Sequence, residues 1–439
     1  MKSESLRKGF LISAALLLSC QLGFAQSAAI PPDNTLAAKA VAAVQASGTA
    51  VPVVPAATVA AMAAARPVIW LSRSLGVVTA VTPATSEPSF CEAPLGSYYV
   101  FCPAGLQTAY SLKQIVGANG GAGITIGIVD AFAYPSAQAN LAQFDSDMGL
   151  PACTTGNGCF TSINLSPYNG TGSGWDLESM LDLEYAHAVA PNAKLLYVQA
   201  YDSSYGGLGA AEAAAVAAGA DIVSNSWSGG ENTSFDSSWN LGKPLLFASG
   251  DGGSWPRQGF VGYPCSALTV TCVGGTSLYV NHTTKQRTSE VGWSGSGGGC
   301  SGAEPMPAWQ GRDRSGVCSP HRASPDIAAI ADPDTGVAVY INNPDWTPGY
   351  YLVGGTSLAT PVSAGLFANI DTARVSFGKA KFTFLDPTIY NAAASNYNYF
   401  FYDVTSGNNG YAAGFEFDLV TGLGNSSGPA MANRLLGLP

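Results

Sequence analysis

Residues 174–200 read GWDLESMLDLEYAHAVAPNAKLLYVQA. The stretch carries a helical pattern over 175–188, which Pro191 ends, and 193–199 (AKLLYVQ) then reads as a strand. The same succession continues outward. Upstream, 124–130 (ITIGIVD) is a short apolar run of the kind buried in a parallel sheet, and 137–148 reads as a helix. Downstream come an Ala-rich helix over 207–218 and strands over 221–226, 244–249 (PLLFAS) and 269–273. Residues 354–369 read as a loop entering a helix. Strands spaced by helices predict an α/β fold, a mostly parallel sheet with helices on both faces. In such sheets, sites form where loops leave the carboxyl ends of the strands.

The chain has 439 residues, of which only 11% are charged, with a formal net charge of −10. Such a surface has little attraction for nucleic acid or anionic lipid, so neither is expected as a partner. Sparse charge also suits acid, because falling pH then changes net charge less. At the N-terminus Lys2, Arg7 and Lys8 precede the apolar run FLISAALLLSC, and GFA ends before Gln26. This predicts an export signal over 1–25 and a secreted, periplasmic or extracellular protein. The run is too short to read as a membrane span, and no other segment is long and apolar enough. Leu17 to Cys20 loosely resembles a lipoprotein attachment site, so a lipid anchor at Cys20 is the one membrane link to consider. Residues 26–88, rich in Ala, Val and Pro, read as a linker or short pro-segment, with the compact domain over 89–439. Eight cysteines follow Cys20 as close neighbours, Cys91/Cys102, Cys153/Cys159, Cys265/Cys272 and Cys300/Cys318, and local disulfides are expected.

VGGTSL occurs twice, at 273–278 and 353–358. The first copy runs on into a strand. The second runs into ATPVSAGLFANI, which reads as a helix with Pro361 in its first turn. A serine at a loop-to-helix junction has glycines that let a substrate approach, and N–H groups that face a developing oxyanion. Ser357 therefore suits a nucleophile and Ser277 does not, although an ordinary helix cap also explains an isolated serine there.

A hydroxyl nucleophile needs a base. The three histidines, His187, His282 and His321, lie in unremarkable contexts, and His187 sits near the end of a helix. Glu178 and Asp182, four apart, put two carboxylates on one helical face. Anions so placed repel, so one holds its proton to higher pH. Asp176 and Glu184 read as part of a solvated acidic face. Asp251, in PLLFASGDGG, falls just past a buried strand; a protonated Asp251 could donate to an oxyanion, and a plain Gly-Asp-Gly turn is the alternative.

Together these pieces resemble the sedolisin family of serine-carboxyl peptidases, which share the subtilisin fold. Glu178 and Asp182 in ESMLD resemble the family's acid pair, Asp251 in SGDGG its oxyanion aspartate, and Ser357 in GGTSLATP its nucleophile. AHAVAPNAK, VSNSWSGGE, the first VGGTSL and SPDIAAIADPDTG agree in order. The likeness runs from CPAGLQTAYSL to the C-terminus. It implies a subtilisin-like fold, a peptide or protein substrate and a monomer. It also implies one structural calcium ion, in segments FYDVT and GFEFDLVTGLG, held by the Asp403 and Asp418 carboxylates and the Val404, Gly414 and Glu416 carbonyls. The family usually has Gly where Glu416 stands. Its members also carry a long folded prodomain; here a short segment would do a reduced job, or the enzyme folds without one. The expectation is an acid-acting peptidase working through an acyl-enzyme. Two other readings stay open: a subtilisin-type triad of Asp130, His187 and Ser357, and an exported binding protein on the same fold.

Overall fold

The computed structural model describes residues 65–76, 88–95, 97–310, 316–344 and 346–426. The expected export signal, Cys20 and residues 26–64 lie outside the described residues. In chain order, the elements around the site begin with β1 (Trp70–Gly76), β2 (Thr125–Ala131), α1 (Ala137–Met148) and β3 (Phe160–Asn164). Then come α2 (Trp175–Val189), β4 (Lys194–Ala200), α3 (Tyr205–Ala217), β5 (Ile222–Asn225) and β6 (Leu245–Ala248). They end with β7 (Thr271–Val280), β8 (Arg287–Gly292), β9 (Ile327–Ile330), β10 (Val337–Asn343), β11 (Trp346–Gly354), α4 (Thr356–Ser376) and α5 (Asp386–Phe400). Among the described residues every expected strand and helix is present; most ends shift by one or two residues, while β7 and α4 run on to Val280 and Ser376. The first VGGTSL continues as the long strand β7, as its apolar run-on implied.

An eight-stranded sheet forms the centre, in the order β8-β7-β6-β5-β2-β4-β3, with β9 also paired to β7. All of its pairs are parallel except β7 with β8. Successive side chains of a strand point to opposite faces. Ile126 and Ile128 of β2 therefore join the core on one side, with Leu177, Leu181 and Leu358 of α2 and α4. Val129 and Ala131 join the other, with Leu208 of α3 and Trp227, Trp239 and Phe247. Each wholly buried large apolar side chain contributes about 1.5–3 kcal/mol. Order along the sheet reverses around β2, which has β4 on one side and β5 on the other. The carboxyl ends of β2, β5 and β6 open at this reversal.

All four expected disulfides are present: Cys91–Cys102, Cys153–Cys159, Cys265–Cys272 and Cys300–Cys318. The packed body reaches further upstream than the expected start at residue 89. Ala65 and Val68 are buried. Residues 66–67 pair with 227–228, and β1 pairs antiparallel with β11. These strands hold through backbone hydrogen bonds, which an Ala/Val/Pro-rich composition does not announce.

Candidate active site

β11 delivers the chain to Gly355, whose φ of 118° turns it into α4. A methyl group on Gly355 would fall 2.6 Å from Asp251 Oδ2 and 2.5 Å from the Val68 carbonyl oxygen. Only glycine satisfies both that backbone angle and that space. Ser357 then sits in the first turn of α4, fully buried. Pro361 falls in the second turn rather than the first, because the helix already begins at Thr356. Having no N–H, Pro361 cannot bond the Ser357 carbonyl. The Ser226 hydroxyl, just past β5, takes that place at 3.0 Å.

Glu178 and Asp182 lie one turn apart on α2 and are both fully buried. Ser226 Oγ is 2.6 Å from Asp182 Oδ1 as well as near the Ser357 carbonyl. A hydroxyl has one proton, so it serves one of these acceptors at a time. It donates to Asp182 when that carboxylate is ionised, and accepts from it when protonated. The Ser357 hydroxyl donates to the Ser226 carbonyl at 3.1 Å. Both Glu178 oxygens are thereby left buried without a hydrogen bond.

Burial pushes the Glu178 carboxyl well above its ordinary range, and the Asp182 and Asp130 carboxylates push it further. The Ser357 hydroxyl lies close enough to offset part of this. Asp182 is raised by burial and by Asp130, with Ser226 pulling the other way. Asp130, at the end of β2, is a third buried acid, pushed up to about 7 by burial. Three carboxyls thus share one pocket with no cation among the groups that shift them. Like charges so crowded must hold protons between them.

Asp251 lies just past β6 and reaches Thr356, the residue before Ser357. Its Oδ1 accepts from the Thr356 N–H at 2.8 Å and the Thr356 hydroxyl at 2.9 Å. Its Oδ2 is buried with no partner. Burial pushes Asp251 up to about 8, against the pull of Thr356. A protonated Oδ2 beside Gly355 is a donor awaiting an acceptor.

The histidines stand apart from this group. His187 Nε2 pairs with the Pro151 carbonyl at 2.7 Å and faces Asp145 at 3.5 Å. His282 packs its ring on Tyr99. Asp130 is near the acid pair rather than near His187, so the structure does not assemble the subtilisin-type triad. Ser277 bonds Asp332 at 2.5 Å within β7. Asp176 and Glu184, expected on a solvated face, are buried instead. Asp176 Oδ2 accepts from Gly172 N–H, Asn343 and Trp346, and Glu184 accepts from the Tyr340 N–H. Every residue of α2 is buried, so its acids needed partners. Asp130 and Ser226 are the site residues that sequence reasoning missed in these roles. Their one signal was position, each at the carboxyl end of a central strand.

Among the expected calcium ligands, Asp403 meets Glu416 and Asp418 meets Gly414. Tyr397 Oη lies 3.0 Å from Asp403 Oδ1 and 3.1 Å from the Glu416 carbonyl. Asp403 Oδ1 accepts from Glu416 N–H at 3.1 Å, and Asp418 Oδ2 from Gly414 N–H at 3.0 Å. Val404 is buried beside Asp403. Glu416 has φ of 63°, a left-handed conformation that favours glycine, which accounts for the residue type the resemblance led one to expect there. Carboxylates and carbonyls from two loops fit a hard cation. Cys153, Cys159 and His187 also cluster, but their sulfurs are joined in a disulfide and offer no thiolate.

Fold and site together define a subtilisin-like α/β protein whose serine faces carboxyl groups. A family model described as the subtilase family matches residues 162–416. The chain is 31% identical to kumamolisin of Bacillus sp. (strain MN-32) over 336 residues, covering 68% of this chain and 58% of that protein. It is 31% identical to tripeptidyl-peptidase 1 of Homo sapiens over 246 residues, 49% of this chain and 41% of that one. The chain thus spans about half the length of these relatives. Pseudomonas sedolisin, a serine-carboxyl proteinase complexed with pseudo-iodotyrostatin, shares the fold with a TM-score of 0.66 at 24% identity, over 78% of this chain and 100% of that one. The chain belongs to the subtilase family, alongside its sedolisin-type members.

Proposed function

We propose that the protein is an exported, acid-acting serine-carboxyl peptidase. Ser357 attacks a peptide carbonyl, and Glu178 takes its proton and later gives it to the leaving amine. Asp182 and Asp130, whose charges raise its affinity for a proton, share protons with it and Asp182 orients it. The oxyanion is met by the Ser357 N–H and by protonated Asp251. Water then hydrolyses the acyl-enzyme with Glu178 again as base. The observation that carries this reading is the unpaired Glu178 carboxyl, buried within reach of Ser357 and of Asp251, whose Oδ2 is unpaired as well.

One structural calcium ion belongs with the reading. The carboxylates of Asp403 and Asp418 and the carbonyls of Val404, Gly414 and Glu416 would hold it. Its contribution would be to tie the C-terminal loops together, away from the chemistry. Four disulfides support folding in an oxidising compartment, in keeping with export.

The test is hydrolysis of a denatured protein at about pH 4, where ordinary carboxyls still hold part of their protons. Wild type should cleave it and Ser357→Ala should not. Equal cleavage by the variant would refute the assignment, and no cleavage by wild type would favour a binding protein.

A further inference from the structure

Glu178 stands in the first turn of α2 and His187 in its last, about 14 Å further along the axis. At that far end, α1, α2 and the loop before β3 bring a second reactive group together. The Cys153 and Cys159 sulfurs and a ring nitrogen of His187 lie within 4.8 Å of one another. His187 is fully buried. Its Nε2–H donates to the Pro151 carbonyl at 2.7 Å and faces Asp145 Oδ1 at 3.5 Å. In the neutral ring this leaves Nδ1 with its lone pair, and Nδ1 is buried without a partner. A metal-binding histidine is prepared in this way, one nitrogen fixed by a carbonyl or carboxylate and the other bare. Asp145 Oδ1 is also buried without a hydrogen bond, while Oδ2 accepts from the Cys153 N–H at 2.9 Å. Asp145 thus grips the backbone of one cysteine and backs the histidine. The Cys153–Cys159 disulfide closes a loop whose residues 155–158 are exposed, and Cys159 is only half-buried, so a small reductant can reach it.

We infer that the reduced protein holds one zinc ion between Cys153, Cys159 and His187, so that this corner is closed by a disulfide in oxidising surroundings and by metal in reducing ones. The reductant is a dithiol. One of its thiolates attacks the Cys159 sulfur and the Cys153 thiolate leaves; its second thiol then displaces Cys159 as the dithiol closes into its own disulfide. Two electrons pass to the protein, and both cysteines end as thiols. Zinc takes the two sulfurs as thiolates together with the His187 lone pair, and two protons go to water. Two thiolates and an imidazole suit zinc, whereas calcium and magnesium take oxygen ligands. Water fills the fourth position, since no further ligand side chain joins this group among the described residues. The sulfurs must part to reach tetrahedral positions, and the exposed loop between them allows it. In the oxidised protein the site does not exist and takes no part in peptide hydrolysis, so the inference stands apart from the peptidase reading.

The full chain is reduced at neutral pH with a water-soluble phosphine, which supplies the same two electrons without holding metal. It is then titrated with cobalt as a coloured substitute for zinc. A thiolate-to-cobalt charge-transfer band should rise to one ion per chain and vanish when zinc is added. Oxidised wild type should show none. Cys153→Ser/Cys159→Ser should lose the band, and His187→Gln should bind at least about tenfold more weakly. Zinc should also raise the melting temperature of reduced wild type, as a ligand bound only by the folded state does. Because the phosphine opens the other disulfides too, Cys159→His gives a second route. It leaves Cys153 as a thiol beside two imidazoles with the other three disulfides intact, and should bind cobalt with no reductant. A band undiminished in Cys153→Ser/Cys159→Ser, or equal affinity in His187→Gln, would overturn the inference. So would silence in both reduced wild type and Cys159→His. If reduction unfolds wild type, binding by Cys159→His supports the inference and its silence overturns it.

Discussion

Asp251 is the residue whose proton carries the clearest kinetic signature. Its carboxyl is pushed up to about 8 by burial, so it is neutral and able to donate at acid and neutral pH. On the proposed mechanism ionisation would turn a donor into an anion facing the oxyanion, and activity should fall as pH rises through that value. Asp251→Asn keeps a neutral donor and the acceptor for Thr356, so its rate should no longer fall across pH 7–9. Asp251→Ala should lose about 10²–10³ in kcat, the cost of removing one oxyanion donor. Initial rates at several pH values decide the matter; an unchanged alkaline limb in Asp251→Asn would remove Asp251 from this role. At this scale the sequence was informative where one residue type in a short motif has few uses. Ser357, Glu178, Asp182 and Asp251 were legible so, and the structure brings all four together. Ser226 and Asp130 were not. A serine after a strand and an aspartate ending one are commonplace, and only convergence from separate elements sets Ser226 on Asp182 and Ser357 and brings Asp130 near the acid pair.

Among the elements, α2 and the C-terminal loops show what spacing can and cannot reveal. The i, i+4 relation of Glu178 and Asp182 survives any helix, so it was readable. Whether the helix lies on the surface or in the core was not, and the acids Asp176 and Glu184 were misplaced for that reason. Their charges read as exposure, while backbone and side-chain donors on β10 and neighbouring loops receive them inside. The second Gly-Gly-Thr-Ser differed from the first only in what followed it, a helix in place of a strand. The C-terminal loops give a prediction of their own. Chelation of calcium should lower the melting temperature by about 5 °C, as loss of any ligand bound only by the folded state does. Asp418→Asn should melt lower and lose most of that response. An identical chelator effect in the variant would place the ion elsewhere.

The whole molecule is built around buried protons. Asp130 and Asp145 are pushed up to about 7, and Glu212 and Asp251 to about 8, each chiefly by burial. Between the ordinary carboxyl range near pH 4 and these raised values, the folded state binds more protons than the unfolded chain. Stability is therefore full at low pH and is lost as pH rises through about 7–8. The melting temperature should fall by about 5–10 °C between pH 4 and pH 8, and a rise over that interval would contradict the burial described. Fold class was the most legible level, because strands and helices alternate in composition along most of the chain. The pairing of residues 66–67 with 227–228 was illegible, since backbone pairing leaves no pattern in side chains. The most direct test of the central claim, a carboxyl rather than a histidine as base, is kcat/KM against pH for wild type, Glu178→Ala and His187→Gln, with melting curves to confirm folding. An acid maximum is expected, retained in folded His187→Gln and reduced at least about 10³-fold in Glu178→Ala. A neutral or alkaline maximum that disappears with His187 and survives loss of Glu178 would contradict it.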